Sequence, residues 1–343
     1  MTTYFYKDVT QRRNMQWFSR SVLMLFLSSS SIVYAHISPE AGKWGIQGEY
    51  LYLHPTINQT AYVSQETATA QASGSRTHNR LDGYSAYRVE GVYNFCNCWN
   101  DFRFLWTQLP RCHHTSSISD PNGLLSPTQD TNFLAPGVSF FNNASSKIFL
   151  DYHAADALVG FGCFQNRCIH ILLQLGVQYA RIHFDEKLTF TNPTNLITYR
   201  NMSEIWGIGP EAALQVGYAL PFCWNFFGIP SVLSVEGSAR GALLATRYDT
   251  QLDVFFNLGV PITSLNIKDR HWDFAPFFDI RLGLNYALTF QCLCAYLEVG
   301  YEILSYQNAV NRITFEGTAN ANSFDLYSDV SFRGPYASLG FSF

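Results

Sequence analysis

Long runs of strict two-residue alternation constrain this chain more than any other feature. In an extended strand, successive side chains point to opposite faces, so alternation of apolar and polar residues marks a sheet with two different surroundings. From Phe274 onward, Phe274, Phe278, Ile280, Leu282, Leu284, Tyr286, Leu288 and Phe290 share one face, and Asp279, Arg281, Gly283 and Asn285 share the other. Leu297, Val299, Tyr301 and Ile303 oppose Glu298, Gly300 and Glu302. The same pattern runs through Ile171–Tyr179, Trp206–Tyr218 and Leu233–Leu243. No convincing 3.6-residue period competes with it. These runs are about 10–15 residues long, where strands of soluble sheets are nearer 5–6 and a tilted strand crossing a bilayer needs about 9–11.

Alternation alone fits either a soluble sandwich or a transmembrane barrel, which point their apolar faces in opposite directions. Composition helps to separate them. Charged residues are 14% of the 343 and aromatics 16%, against about 25% charged in an ordinary globular protein. Disorder is excluded by the apolar content, and a nucleic-acid partner by the lack of a basic surplus. A helical membrane protein is disfavoured, because beyond the N-terminal region no segment has the about 18 uninterrupted apolar residues needed.

That N-terminal region reads as an export signal over residues 1–35. Arg20 gives a positive start, Val22–Leu27 an apolar centre, and Val33-Tyr34-Ala35 a small-x-small cleavage site. Met15 offers a second start for translation. The Arg12-Arg13 pair is followed by Asn14-Met15, which is not the usual twin-arginine continuation. Cleavage after Ala35 removes Lys7, Arg12, Arg13, Arg20 and Asp8, leaving 18 basic and 25 acidic residues from the 22 and 26 of the full chain. Residues 36–343 then form a single, mildly acidic domain in an oxidising compartment.

Ten strands are expected, near Trp44–His54, Tyr84–Phe95, Phe102–Leu109, Lys147–Gly162, Ile169–Phe184, Ser203–Leu220, Ser231–Thr246, Phe274–Phe290, Ala295–Tyr306 and Phe332–Phe343. The fold class is all-β, a transmembrane antiparallel barrel with short periplasmic turns and long outer loops at 55–83, 110–146, 185–202, 247–273 and 307–331. Leu252–Val260 is the best candidate for a further hairpin, which leaves twelve strands open. Asp156 shares parity with Ile148 and Leu150, so a bulge near His153–Ala155 is expected. The chain ends in alternation through Ala337, Leu339, Phe341 and Phe343, which resembles the assembly signal read by the machinery that inserts bacterial outer-membrane barrels.

Seven of the eight cysteines fall on the short-turn side: Cys96, Cys98, Cys163, Cys168, Cys223, Cys292 and Cys294. Only Cys112 is assigned to a long loop. Paired cysteines at zinc-type spacing are absent, and Cys112-His113-His114 is suggestive only as a triplet, so no metal and no cofactor is expected. Local disulfides, such as one closing Cys163 to Cys168, stand beside cross-linking of the periplasmic rim to neighbouring barrels or envelope proteins.

The stretches Trp44-Gly45-Ile46-Gln47-Gly48-Glu49-Tyr50-Leu51-Tyr52, Leu175-Gly176-Val177-Gln178-Tyr179-Ala180 and Trp206-Gly207-Ile208-Gly209-Pro210-Glu211, with the ending Gly340-Phe341-Ser342-Phe343, carry a family likeness. The chain resembles the pore-forming outer-membrane proteins of the Legionella type, related to the major-outer-membrane-protein-like porins of chlamydia-related bacteria. The resemblance implies a general porin without catalytic residues. In chlamydial relatives, cysteine-rich envelope proteins are linked by disulfides, which would suit the rim thiols here.

On the barrel reading, the lumen-facing parity supplies Arg88, Glu90, Arg103, Glu211, Glu236, Arg240, Asp279, Arg281, Glu298 and Glu302. A hydrocarbon-facing charge is costly, so this phase is preferred. These residues either line a hydrated path for small solutes or ions, or pair into networks that plug a narrow barrel. The sequence reading favours the path, with a plugged structural or adhesin-type surface barrel as the alternative. An outer-membrane hydrolase is the remaining class. His113, His114, His183 and His271 are its candidate bases, with Asp269 and Asp273 near His271, but no Gly-x-Ser-x-Gly or His-Glu-x-x-His accompanies them. The expected partners are outer-membrane lipid, the assembly machinery, disulfide-linked envelope proteins or further copies of the chain, and no nucleic acid.

Overall fold

The alternating segments close into one antiparallel barrel. The computed structural model describes residues 43–58, 60–68, 71–95, 100–128, 140–166, 168–226, 229–257, 263–290, 293–315 and 323–343. Its strands are β1 (Trp44–Ile57), β2 (Ala61–Ala68), β3 (Gln71–His78), β4 (Tyr84–Asn94), β5 (Asn100–Ser119), β6 (Leu125–Pro127), β7 (Asn143–Gln165), β8 (Ile169–Thr191), β9 (Leu196–Phe226), β10 (Ile229–Asn257), β11 (Thr263–Thr289), β12 (Cys294–Phe315) and β13 (Ser323–Ser342). Ten of these form the barrel in the order β1-β13-β12-β11-β10-β9-β8-β7-β5-β4, and β4 pairs back onto β1. The other three make a small sheet, β3-β2-β6. The expected signal segment, together with Cys96, Cys98 and Cys292, lies outside the described residues.

Closure joins the two ends of the described chain. Trp44 N–H donates to the Phe343 carbonyl at 3.0 Å, and Phe343 N–H donates back to Trp44 at 2.9 Å. Both side chains face outward and are more than half exposed on the protein surface. The apolar belt continues around the outer wall through Ile46, Phe102, Phe104, Leu175, Val177, Ile208, Leu282, Leu284, Val299 and Leu339, all exposed. Tyr52, Trp106, Tyr179, Trp206 and Trp272 mark its far edge, as interfacial aromatics do in membrane barrels. Among the described residues no helix is long and apolar enough to cross a membrane; the crossing is made by strands.

Past that aromatic edge the strands do not stop. β9, β10 and β11 run for 31, 29 and 27 residues, well beyond the roughly 9–11 that a bilayer needs. The outward face changes from Leu243 to Arg247 and Asp249 along β10, and from Trp272 to Arg270 and Lys268 along β11. The inward parity changes in the opposite sense, from Glu236 and Arg240 to Leu244, Tyr248, Leu252 and Val254. β10 and β11 therefore each keep one phase while both of their faces exchange character at the membrane edge. In water the barrel packs like a soluble protein, and in the belt it is inverted.

This exchange corrects several expectations. The segments 185–202 and 247–273 are mostly strand, because their alternation continues with its polarity reversed. Leu252–Asn257 ends β10 rather than opening another hairpin, so the barrel has ten strands and not twelve. Asp156 needs no bulge. The β7–β8 register is continuous from Asn143 to Gly162, and Ile148 and Leu150 face inward with Asp156 because the upper interior is apolar. The irregularity lies across the sheet in β5, between Leu109 and Cys112, where Pro110 cannot donate to the ladder.

One hairpin departs from the wall. The β11–β12 ladder ends at Phe277–Tyr306, and the β12–β13 register shifts between Tyr306 and Val310. Asn308 takes a left-handed conformation, φ 56°, which asparagine tolerates better than most side chains. Beyond it β12 leans across the mouth. Asn311 N–H donates to Ser203 Oγ at 3.1 Å, Arg312 reaches Glu186 at 3.4 Å, and Ile313 joins an apolar cluster with Phe190, Tyr199 and Leu252.

Candidate functional site: the barrel interior

All ten charged residues of the lumen-facing parity project into the barrel. Nine of them are buried and Arg281 is half-buried. At the membrane level they form two connected networks. Arg88 grips Glu302 through both terminal nitrogens (2.9 and 2.6 Å), reaches Glu49 at 3.0 Å, and donates from Nε to Thr107 at 2.9 Å. Arg281 donates to the other Glu49 oxygen at 2.7 Å. Across the lumen, Arg240 bonds Asp279 at 2.7 Å from Nε and Asp156 at 3.0 Å, with Glu211 at 3.8 Å.

Nearer the periplasmic end, Arg103 holds Asp101 at 2.8 Å and Glu90 at 3.3 Å. His170 faces Glu236 at 3.3 Å, and Gly217 makes this possible, since a Cβ there would lie 1.8 Å from the imidazole. Tyr336 crosses the lumen over Gly283 and Gly300, donates to Glu298 at 2.5 Å and stacks under the Arg281 guanidinium at 4.3 Å. Sequence reasoning missed Glu49, Asp101, Asp156, His170 and Tyr336. Parity alone could have found Glu49, which sits two residues from the inward Leu51.

Acid exceeds base in this layer. Among the described residues, Glu49, Glu90, Asp101, Asp156, Glu211, Glu236, Asp279, Glu298 and Glu302 face only Arg88, Arg103, Arg240 and Arg281, besides His170. Both Glu211 oxygens, Asp156 Oδ1 and Asp279 Oδ1 are buried without a hydrogen-bond partner. A cavity of about 60 Å³ lies at the periplasmic side of the layer, lined by Glu90, Arg103, Gln174, Glu236, Arg240 and Glu298 among others. It has room for a few waters, which need only about 10–15 Å³ each on this measure.

Directly outward of the charges, the lumen is filled by apolar side chains. Tyr152 stacks on Phe332 (4.9 Å between centroids) and bonds Tyr306 hydroxyl to hydroxyl at 2.9 Å, while Phe277 packs on Tyr306 at 4.6 Å. Leu51, Leu53, Leu150, Ile182, Phe184 and Leu304 complete this layer, each 3% exposed or less. A second charged step, Arg312–Glu186, and a second apolar cluster around Phe141, Phe190 and Tyr62 lie further out. Wall side chains thus close the interior at successive levels. Aromatic side chains are shared between the lipid face and this inner packing.

The thiols sort differently from expectation. Cys112 is in strand β5, buried in the apolar interior, and burial with Asp151 nearby pushes its thiol up to about 12. His113 faces the other way, so the Cys112-His113-His114 triplet cannot converge. Cys163 is exposed and Cys168 half-buried beside the β7–β8 turn, and no disulfide joins them. Cys223 lies within strand β9, paired opposite Val232, rather than in a turn. Cys294 opens β12 and is half-buried.

Of the histidines weighed as bases, His271 does contact Asp269, Nδ1 to Oδ2 at 2.8 Å. Its other nitrogen meets the Tyr327 hydroxyl at 2.8 Å, not a serine, threonine or cysteine. The Asp273 carboxylate instead accepts the Phe274 N–H at 2.7 Å. His114 approaches Asp82 only at 3.8 Å, and His113 lies 6.5 Å from the Phe149 ring. His183 is half-buried opposite Glu204 on the outer extension.

Residues 37–343 match the family model described as Legionella pneumophila major outer membrane protein precursor. No curated protein matches the sequence. Among solved structures, a Pseudomonas aeruginosa FadL homologue is similar at 10% identity and a TM-score of 0.26, over 88% of this chain and 90% of that one. The Pseudomonas putida toluene transporter TodX follows at 8%, 0.20, 88% and 89%. An anion-selective porin from Comamonas acidovorans gives 9%, 0.13, 86% and 99%. Scores this low carry no argument about this chain.

Proposed function

Since the chain belongs to the Legionella pneumophila major outer membrane protein family, and is an outer-membrane β-barrel, we propose that it is a barrel closed to solute at rest, which holds a tall β-extension above the membrane. The observation that carries this reading is the stacking of an apolar layer, Tyr152–Phe332–Tyr306–Phe277, directly on a charged layer whose arginines are all engaged. General barrel geometry agrees. About eight strands leave an interior that side chains fill, and open aqueous channels belong to about sixteen. The extension, not a diffusion path, is then the surface through which the protein meets its environment.

A second reading has one observation in its favour. The acidic excess and the small cavity lined by charged side chains give a start to a cation-preferring path, and passive diffusion of small hydrophilic solutes or ions follows if the aromatic layer opens. Planar-bilayer recording of the purified protein separates the two. Silence supports the closed barrel; discrete steps with cation preference support the path. Family membership favours a non-enzymatic role in either case.

Rim cross-linking remains part of the proposal. Cys163 is exposed on the short-turn side and not bridged to Cys168, so it is available to a neighbour. Envelopes run on non-reducing and reducing gels test this: a ladder only without reductant is expected, and a monomer in both lanes excludes cross-linking.

A further inference from the structure

Where the β11–β12 ladder ends, upper β11 and the leaning β12–β13 hairpin meet through side chains. Three potential metal ligands come together there. Asp269 and His271 share the inward face of β11, two residues apart, and Asp325 comes from β13. One ligand atom from each lies within 4.8 Å of the others. Ligands around a tetrahedral ion with bonds of about 2.1 Å sit about 3.4 Å apart. The Asp269–His271 pair is already at 2.8 Å, and Asp325 is exposed, so a small side-chain rotation closes the set.

We propose that Asp269, His271 and Asp325 form a binding site for a divalent transition-metal ion of the zinc type, which clasps the β12–β13 hairpin to the barrel wall.

The surroundings are arranged for a ligand rather than for a plain hydrogen bond. His271 is held by three side chains: Tyr248 stacks flat on it at 4.9 Å and 6°, Tyr327 lies edge-on with its hydroxyl 2.8 Å from Nε2, and Asp269 meets Nδ1. A metal-bound imidazole characteristically has its other nitrogen held by such a partner. Without metal, Nδ1–H donates to Asp269 and Tyr327 O–H donates to Nε2. With metal on Nδ1, the imidazole proton moves to Nε2 and the Tyr327 oxygen accepts it, so Tyr327 serves both states. Asp325 is oriented in turn, because Asn311 Nδ2 donates to its Oδ1 at 3.0 Å. One imidazole with two carboxylates suits a borderline ion such as Zn²⁺, and disfavours Ca²⁺ or Mg²⁺, which take oxygen ligands. The fourth position is left to water.

Two of the ligands are on the wall and one on the hairpin, so the ion would hold the hairpin across the mouth. The test is calorimetric titration of the full-length barrel in detergent, freed of metal with EDTA, using zinc chloride. One equivalent is expected to bind, and Asp325→Asn and His271→Ala are each expected to weaken it at least about tenfold, as even loss of a supporting contact commonly does. Heat-modifiable gel mobility checks that both variants are folded. Zinc is also expected to slow amide exchange at Asn311–Ile313 in the wild type and not in Asp325→Asn. Failure of the folded wild type to bind one equivalent overturns the site. So does affinity unchanged in Asp325→Asn, and zinc binding without slower exchange overturns the clasp.

Discussion

Arg88 is held at the centre of one of the two buried charge networks. Its guanidinium is fully engaged by Glu302, Glu49 and Thr107 and is 2% exposed. Arg88→Met strips buried Glu302 of its bidentate partner and leaves Glu49 to Arg281 alone; breaking a buried pair in this way costs about 3–5 kcal/mol where it has been isolated. We expect the variant to unfold at clearly lower urea or temperature in detergent, read by the loss of heat-modifiable mobility. Adding Glu302→Gln and Glu49→Gln to it should recover part of the loss. At the opposite extreme, Cys112 should be inert. With its thiol pushed up to about 12, almost none is thiolate at pH 8–9, and reactivity rises only as pH approaches that value. Alkylation of the folded protein at pH 8 should label Cys163 and spare Cys112; rapid labelling of Cys112 contradicts its placement. Cys163 lies beside the short turn where the sequence puts it, but the setting of Cys112 was not legible, because it follows a prolyl bulge that hides its parity.

At the scale of the element, the seam and the leaning hairpin have separate tests. β1 and β13 close the barrel by reciprocal bonds between Trp44 and Phe343. Deleting Phe343 removes one end of this pair and the terminal aromatic of the belt, and should lower the assembled fraction in outer membranes, measured by heat modifiability. Normal assembly of the truncated chain would contradict a role for this residue. The strands within the membrane were legible because lipid demands an apolar outer parity over their whole span. Their extensions were not. Past Trp272 the outward residues become Arg270 and Lys268, and a polar alternating segment reads like a loop unless its inward partners, Ile267 and Leu265, are counted with it. The hinge at Asn308 left no signal in the alternation, since the register shift occurs where hydrophobicity is already mixed.

Considered whole, the molecule is a barrel of two polarities. Charge faces inward at the level of the lipid, and apolar side chains face inward above it. The inward charges were legible as a parity, and the strand number followed from the runs themselves. What the parity concealed was their company: Tyr152, Phe277, Tyr306 and Phe332 share the inward face, and only the closed geometry brings them together across the lumen. A ten-stranded wall is narrow enough for such side chains to meet. The central claim is that they close it. Single-channel recording of the folded, full-length protein in planar bilayers is the most direct test. The account predicts no discrete conductance steps under moderate applied voltage; reproducible steps from folded wild-type protein would contradict it.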